Sequence, residues 1–394
     1  MEYATESPWR GYSVAERDRR WKAVRDNAAK GGFDCTLVPL GARPDCRYLT
    51  EMANAAVVLP TDGRAPIVIS DRGRGNAWIP DPRSASGGMR GSWTPATVQA
   101  LRDAGMERAR IGVVGLKGGK VTHVRAPDGV VNFSSYAEVV RELPDATFED
   151  ATDVVGFARY VKSSEEIECL RKAATIAEAG IDEMIEAARP GADAATVYTR
   201  AMARMMELGS EHYPLAMHIG PITAVETPRY TNPPSGLRLH SGDYITNETS
   251  AVWGGQLSQE DQPIVLGPIP EAWKPVIELQ REVFEAGLAF MKPGTAFADM
   301  IDFVNGFGTN RGLKTLILMH GRGIGDDNGP LLTPRARGED IRDLRIERGN
   351  VWVFKPYALT PDERISFVWG GDVVVTDQGG QRLFERGHGM VSVS

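Results

Sequence analysis

Few residues in this 394-residue chain announce chemistry by their spacing alone. The run His320-Gly-Arg-Gly-Ile-Gly sets an imidazole and a guanidinium two residues apart in a glycine-rich turn. A histidine so placed is a candidate acid or base. Arg322 is a candidate clamp for a substrate carboxylate, because its planar fork meets two oxygens at once. The same two residues also read as a hydrogen-bonded structural histidine and a solvated loop arginine. The run is not a nucleotide-phosphate loop, since its glycines are wrongly spaced and no strand-to-helix pattern surrounds them. His218 follows an apolar stretch and precedes Ile219-Gly. It reads first as a core residue and second as a residue on a strand leading into a cleft. Tyr230, Trp253 and Trp369 could line an aromatic pocket, although tryptophans in strands more commonly fill cores.

Composition excludes several partner classes. The chain is 42% hydrophobic and 25% charged, ordinary for a globular protein. Its net charge of -7, with no dominant Lys/Arg cluster, argues against a nucleic-acid partner. Cys35, Cys46 and Cys169 form no C-x-x-C pair, which fits reduced thiols better than a disulfide framework. The first ten residues lack the basic-then-apolar order of a signal peptide, and no apolar run is long enough to span a bilayer. The expectation is a cytoplasmic protein with a small-molecule substrate and no membrane partner.

The elements that would position a site divide the chain in two. Residues 1–12 read as a flexible arm and 13–158 as an α/β domain with a mixed sheet. Ser13 and Glu16 have capping-box spacing, and Trp21, Val24 and Ala28 follow at helical intervals up to Gly31-Gly32. Short apolar runs at 35–40, 55–60, 65–70 and 111–115 read as buried strands, with a helix over 94–104 between two of them. The Gly-, Ser- and Pro-rich stretch 81–92 reads as a loop. A second capping signal, Ser163 with Glu166, opens a long amphipathic helix with Ile167, Leu170, Ala174, Ala177, Ile181 and Met184 on one face. The domain 159–394 therefore starts just before it. Within this domain the segment from Ala188 echoes the segment from Met291, each a helix, a Pro-Gly break and a second helix, and each followed by strand-rich sequence. A duplicated α+β unit would enclose a cleft on its pseudo-two-fold axis, a usual place for a ligand.

Three segments carry a resemblance. They are Val161-Lys-Ser-Ser-Glu-Glu-Ile; Gly242-Asp-Tyr-Ile-Thr-Asn-Glu through Trp253-Gly-Gly to Gly267; and His320-Gly-Arg-Gly-Ile-Gly with Val351-Trp-Val-Phe-Lys-Pro-Tyr and Gly371-Asp-Val-Val-Val-Thr-Asp-Gln-Gly. In order and spacing they resemble the creatinase / aminopeptidase P / methionine aminopeptidase superfamily. The stretch 13–52 resembles the start of the creatinase-type N-terminal domain. The resemblance implies an α/β N-terminal domain plus an α+β "pita-bread" C-terminal domain, and often a homodimer. Metallopeptidase members bind two metal ions through two aspartates, a histidine and two glutamates.

At those five positions this sequence carries Glu248, Gln259, His320, Lys355 and Gly371. One carboxylate and one histidine stand beside an ammonium and an amide. A pair of divalent cations needs anionic oxygens to offset its charge, and a lysine repels it. The expectation is no metal and no cofactor. Creatinase also works without metal, with a histidine base in a loop that here reads Arg229-Tyr-Thr-Asn-Pro-Pro-Ser; the histidine position falls on Thr231. A creatinase carboxylate matches Asp261, and a second family histidine falls on Asp327. The resemblance thus implies a metal-independent, creatinase-like hydrolase of a C–N bond in a small polar substrate, with lyase chemistry next. Glu248, Asp261, His320 and Lys355 are the candidate catalytic groups. Tyr230, Thr231, Gln259, Arg322, Asp327 and His218 are candidates for binding substrate. A non-catalytic binding subunit using the same cleft, or a rebuilt metalloenzyme, are the alternatives.

Overall fold

The computed structural model describes residues 11–85, 92–121, 126–325, 328–333, 341 and 344–394. The chain forms two compact units, one running up to Val161 and including Ile324–Pro330, the other comprising Lys162–Gly323 and Leu331–Ser394.

The first unit is built on a six-stranded mixed sheet. Its order is Asp81–Ser84, Ile67–Ser70, Ala55–Pro60, Cys35–Val38, Arg110–Val113, Thr147–Asp150. The four interior strands are the apolar runs that the sequence shows as strands, almost wholly buried. The two outer strands are different. Asp81–Ser84 lies inside the stretch read as a loop, and Thr147–Asp150 has no apolar run. Both alternate between exposed and half-buried residues and carry charge, as edge strands do. An edge strand without an apolar face leaves little periodic signal. Ser13 caps the helix Val14–Lys30 as its spacing predicts, accepting from the Glu16 amide at 3.0 Å. Tyr12, placed in the arm by the sequence reading, is instead buried beside Trp78 with the Arg20 guanidinium over its ring.

The second unit opens with the helix Ser164–Ala187. Its capping box is complete, with Ser163 and Glu166 each bonding the other's backbone. Ile176, Ala177 and Met184 of this helix join Val197, Met205, Met217 and Ile245 in the core. The two Pro-Gly breaks do the same work. Ser164–Ala187 is followed by Ala194–Glu207, and Lys274–Phe290 by Phe297–Gly306. Gly191 and Gly294 sit at φ of 86° and 91°, the left-handed region that only glycine enters cheaply. The first helix pair leads to a five-stranded sheet ordered Val391–Val393, Ile264–Leu266, Asp243–Glu248, Ala216–Pro221, Arg229–Tyr230. The second leads to a sheet in which Glu260–Asp261, Gly370–Thr376, Val351–Phe354 and Met319–Gly321 lie side by side.

Neither turn glycine has any neighbour within 4 Å of where a Cβ would stand, so replacing it is purely a backbone matter. Gly191→Ala and Gly294→Ala should each lower the unfolding free energy by about 1–2 kcal/mol. The double variant should show the sum, because the turns share no partner. Urea unfolding of the three variants tests this.

Candidate active site

Lys355 is the centre of the site. It follows the strand Val351–Phe354, and its amide donates to Leu318 O at 3.0 Å. The next turn is pinned from behind by Gln280, fully buried on the helix Lys274–Phe290. The Gln280 amide group donates to Pro356 O at 2.9 Å and to Trp369 O at 2.7 Å. Gly370 completes the seat. At φ of 153°, a Cβ there would stand 2.1 Å from Phe354 O and 2.9 Å from Lys355 Cα, so only glycine lets the neighbouring strand lie this close.

The Lys355 ammonium reaches two carboxylates. Glu248, at the end of the strand Asp243–Glu248, accepts through Oε1 at 3.0 Å; Asp261 lies with Oδ2 at 2.9 Å. The Lys355 and Asp261 side chains are 3% and 5% exposed, whereas Glu248 is 36% exposed and faces outward. The outer oxygen of Glu248 holds Arg229 at 2.7 Å. The sequence reading placed Arg229 at the head of the marked loop but gave it no role. It arrives from the edge strand Arg229–Tyr230, whose register sets it opposite His218.

A second cluster adjoins the first. His320 lies on the strand Met319–Gly321, in register with Val353 and, one strand further, Asp372. Arg322 is buried, not a solvated loop residue, and donates to Gln259 Oε1 at 2.5 Å and Ser250 Oγ at 3.4 Å. The backbone N–H of Gln259 donates to Asp372 Oδ1 at 3.3 Å.

These contacts fix the charge states. Lys355 holds the Glu248 carboxyl far below its ordinary range against the cost of burial, with Arg229 helping. Burial pushes Asp261 up to about 6, although Lys355 pulls it back, and the Glu248 charge adds to the rise. Burial opposes the Lys355 charge, but Asp261 and Glu248 overcome it and keep the ammonium above its usual value. His320 is brought down to about 3 by burial and by the cations of Arg322 and Lys355. At neutral pH it is a neutral imidazole. Burial raises Asp372 to about 7, offset in part by Arg322. Glu260 is likewise raised by burial and by Glu178 and Asp372. Neither acid stood out in the sequence, because nothing local says which strand residues turn inward.

The remaining candidates fall as follows. His218 is half-buried, lowered by burial and by the Arg229 and Lys355 charges, so it borders the site. Tyr230 packs on the apolar core of the second unit, and Thr231 is exposed. Trp369 is core, edge-on to Phe284 and Phe384. Trp253 packs on the same core as Tyr230 and lies under Lys172. Asp327 lies outside the described residues.

The profile of metallopeptidase family M24 matches residues 168–377. The chain belongs to that family. Its curated relatives include methionine aminopeptidase 1 of Dictyostelium discoideum, 21% identical over 292 residues, 67% of this chain and 76% of that protein. They also include the creatinase of a Bacillus species (strain B-0618), 22% identical over 308 residues, 75% of this chain and 71% of that one. Among solved structures the Xaa-Pro dipeptidase from Bacillus anthracis superposes with a TM-score of 0.76 at 17% identity, over 96% of this chain and all of that one. At that identity the likeness carries the fold alone, and the fold is the two-domain pita-bread architecture.

Removing the Lys355 ammonium should cost stability in a pH-dependent way. Lys355→Met would leave Asp261 buried beside Glu248 with no counter-charge, a loss of about 3 kcal/mol at pH 8. At pH 5 Asp261 is already protonated in the folded chain, so the deficit should shrink. In the parent protein the same group has a folded value above its ordinary 3.8, so its contribution falls as pH rises from 3.8 to about 6. Glu248 has the opposite sign, stabilising above 4.5 and losing that contribution as pH falls through its lowered folded value. Denaturant unfolding of parent and variant at both pH values checks the difference.

Proposed function

We propose that this M24 protein is a metal-independent hydrolase of a C–N bond in a small polar molecule. One observation carries the reading: the Lys355 ammonium lies within 3.0 Å of both Glu248 and Asp261. It is a fixed positive charge, held by two carboxylates, at one of the family's ligand positions. The other residues at those positions do not fit a pair of divalent cations. Gln259 already gives its oxygen to Arg322. A carboxylate at Gly371 would have to start from a Cβ only 3.0 Å from Gln259 O, Glu260 Cγ and Phe384 Cε1. Glu248 and His320 alone are too few ligands, and the first is already bound to two cationic side chains.

The protonation states divide the labour. Asp261, near 6, is the acid in contact with Lys355 that is able to take a proton close to neutral pH. Among the described residues its Oδ1 has no hydrogen-bond partner, leaving that oxygen for a water. Lys355 stays charged and has three N–H donors, of which two meet carboxylates. The third serves the oxygen or nitrogen on which negative charge develops. Asp261 draws the proton from water as the new C–O bond forms, and the π electrons of the attacked carbon move to that heteroatom. When they return the C–N bond breaks, and Asp261 passes the proton to the departing nitrogen. His320, neutral, orients rather than protonates. Glu248 fixes Lys355 and, with Arg229, borders the open side.

With a turned-over substrate in hand, kcat/KM should rise with pH and level off above about 6. Asp261→Asn should lose that limb and about 10²–10⁴ of turnover. Lys355→Met should lose about 10²–10³. Full activity in both variants overturns the assignment. Metal analysis of protein purified without chelator, with assays before and after chelation, tests the rest: one tightly held ion per chain, with activity lost on its removal, sinks metal independence. A ligand that stabilises the chain but yields no product would favour the binding-subunit reading.

A further inference from the structure

The first unit contains a cavity of about 420 Å³, within the range of small-molecule sites. Its position follows from topology. The strands Cys35–Val38 and Arg110–Val113 run parallel as neighbours. From Val38 the chain goes to Ala55–Pro60 on one side, and from Val113 to Thr147–Asp150 on the other. The two connections leave in opposite directions, so a crevice opens beyond the strand ends, where open α/β sheets take ligands. Leu37, Pro39 and Val113 line it.

Two ten-residue helices begin at this cavity, Thr94–Asp103 and Phe133–Glu142. Their first turns bring the positive ends of two helix dipoles, although Ser92 Oγ already accepts from the Thr94 amide at 3.2 Å and Asn132 Oδ1 from the Ser135 amide at 3.2 Å. The first helix has no side-chain cap at Trp93. An independent observation marks the same spot. Thr94 lines the cavity and is 3% exposed, yet among the described residues its Oγ1 has no hydrogen-bond partner. A buried hydroxyl without a partner is costly, and a ligand oxygen would satisfy it. Arg43, exposed at the mouth, also lines the cavity. Val131 and Val139 continue the apolar wall. A mostly apolar cavity with one cation and two helix starts fits an anion of single charge on an apolar body.

We propose that this cavity binds a small apolar carboxylate, with the carboxylate at Thr94, Arg43 and the two helix N-termini. The cavity shares no lining residue with the Lys355 centre. Calorimetric titration of the full chain with 4-phenylbutyrate, and with the neutral 4-phenylbutyramide, tests it. Saturable binding is expected, about tenfold or more weaker for the amide. Thr94→Val and Arg43→Gln should each weaken phenylbutyrate by about tenfold, because each removes one polar contact to the carboxylate. Asp261→Asn should bind as the parent does, and Thr94→Val should keep the parent's turnover. Circular dichroism confirms that each variant is folded. Equal binding of acid and amide, unchanged binding in both cavity variants, loss of binding in Asp261→Asn, or no saturation by about 10 mM would each overturn the proposal.

Discussion

An ammonium group enclosed between two carboxylates is the constraint around which the second unit is arranged. Burying such a charge costs several kcal/mol, and the cost is recovered only where partners stand at hydrogen-bond distance. Much of the local architecture serves that end. Gln280 ties down two carbonyls behind Lys355, Gly370 allows the adjacent strand to close on it, and Glu260–Asp261 pairs with Gly370 and Gly371 so that Asp261 faces the ammonium. The same enclosure sets the protonation states. Because Lys355 is held charged, Glu248 stays ionised; burial, with Arg322 and Lys355, keeps His320 neutral; and burial leaves Asp261, in contact with Lys355, able to change charge near 6.

The repeat within this unit explains how residues so far apart in sequence meet. Each half supplies a helix, a Pro-Gly turn with its glycine in the left-handed region, a second helix and then strands. Glu248 and Asp261 come from strands after the first turn, His320 and Lys355 from strands after the second. The carboxylates are thus delivered by one half and the lysine and histidine by the other. The first unit is organised on a different principle, a mixed sheet whose neighbouring parallel strands Cys35–Val38 and Arg110–Val113 send their connections to opposite sides.

What the sequence made legible followed from periodicity and from local signals. The buried strands at Ala55–Pro60 and Cys35–Val38, the capping box at Ser163 and both Pro-Gly turns could be read directly, because each is specified by neighbours in the chain. The edge strands Asp81–Ser84 and Thr147–Asp150 could not, since they bury no continuous apolar run. At the site, Glu248, Asp261, His320 and Lys355 were found through family positions. Arg229 and Asp372 were not, because their importance lies in pairings 19 residues and more than a hundred residues away. For Arg322 the sequence left a carboxylate clamp and a solvated loop residue side by side, because a glycine-rich turn suggests exposure, whereas in the fold the side chain is buried. Composition alone gave no sign of the cavity at Thr94, which exists only because of strand order.

The contact between Lys355 and Glu248 closes a separation of 107 residues. Loops of that length close slowly, and contacts between distant segments form after local helices and hairpins. Until the strand carrying Lys355 docks, its ammonium and the two acids are in water, each fully hydrated. Docking strips Lys355 and Asp261 together, while Glu248 keeps one side to water. The centre therefore belongs to the last part of the chain to become native and the first to resist leaving, so its contribution is felt more in how slowly the unit opens than in how quickly it assembles.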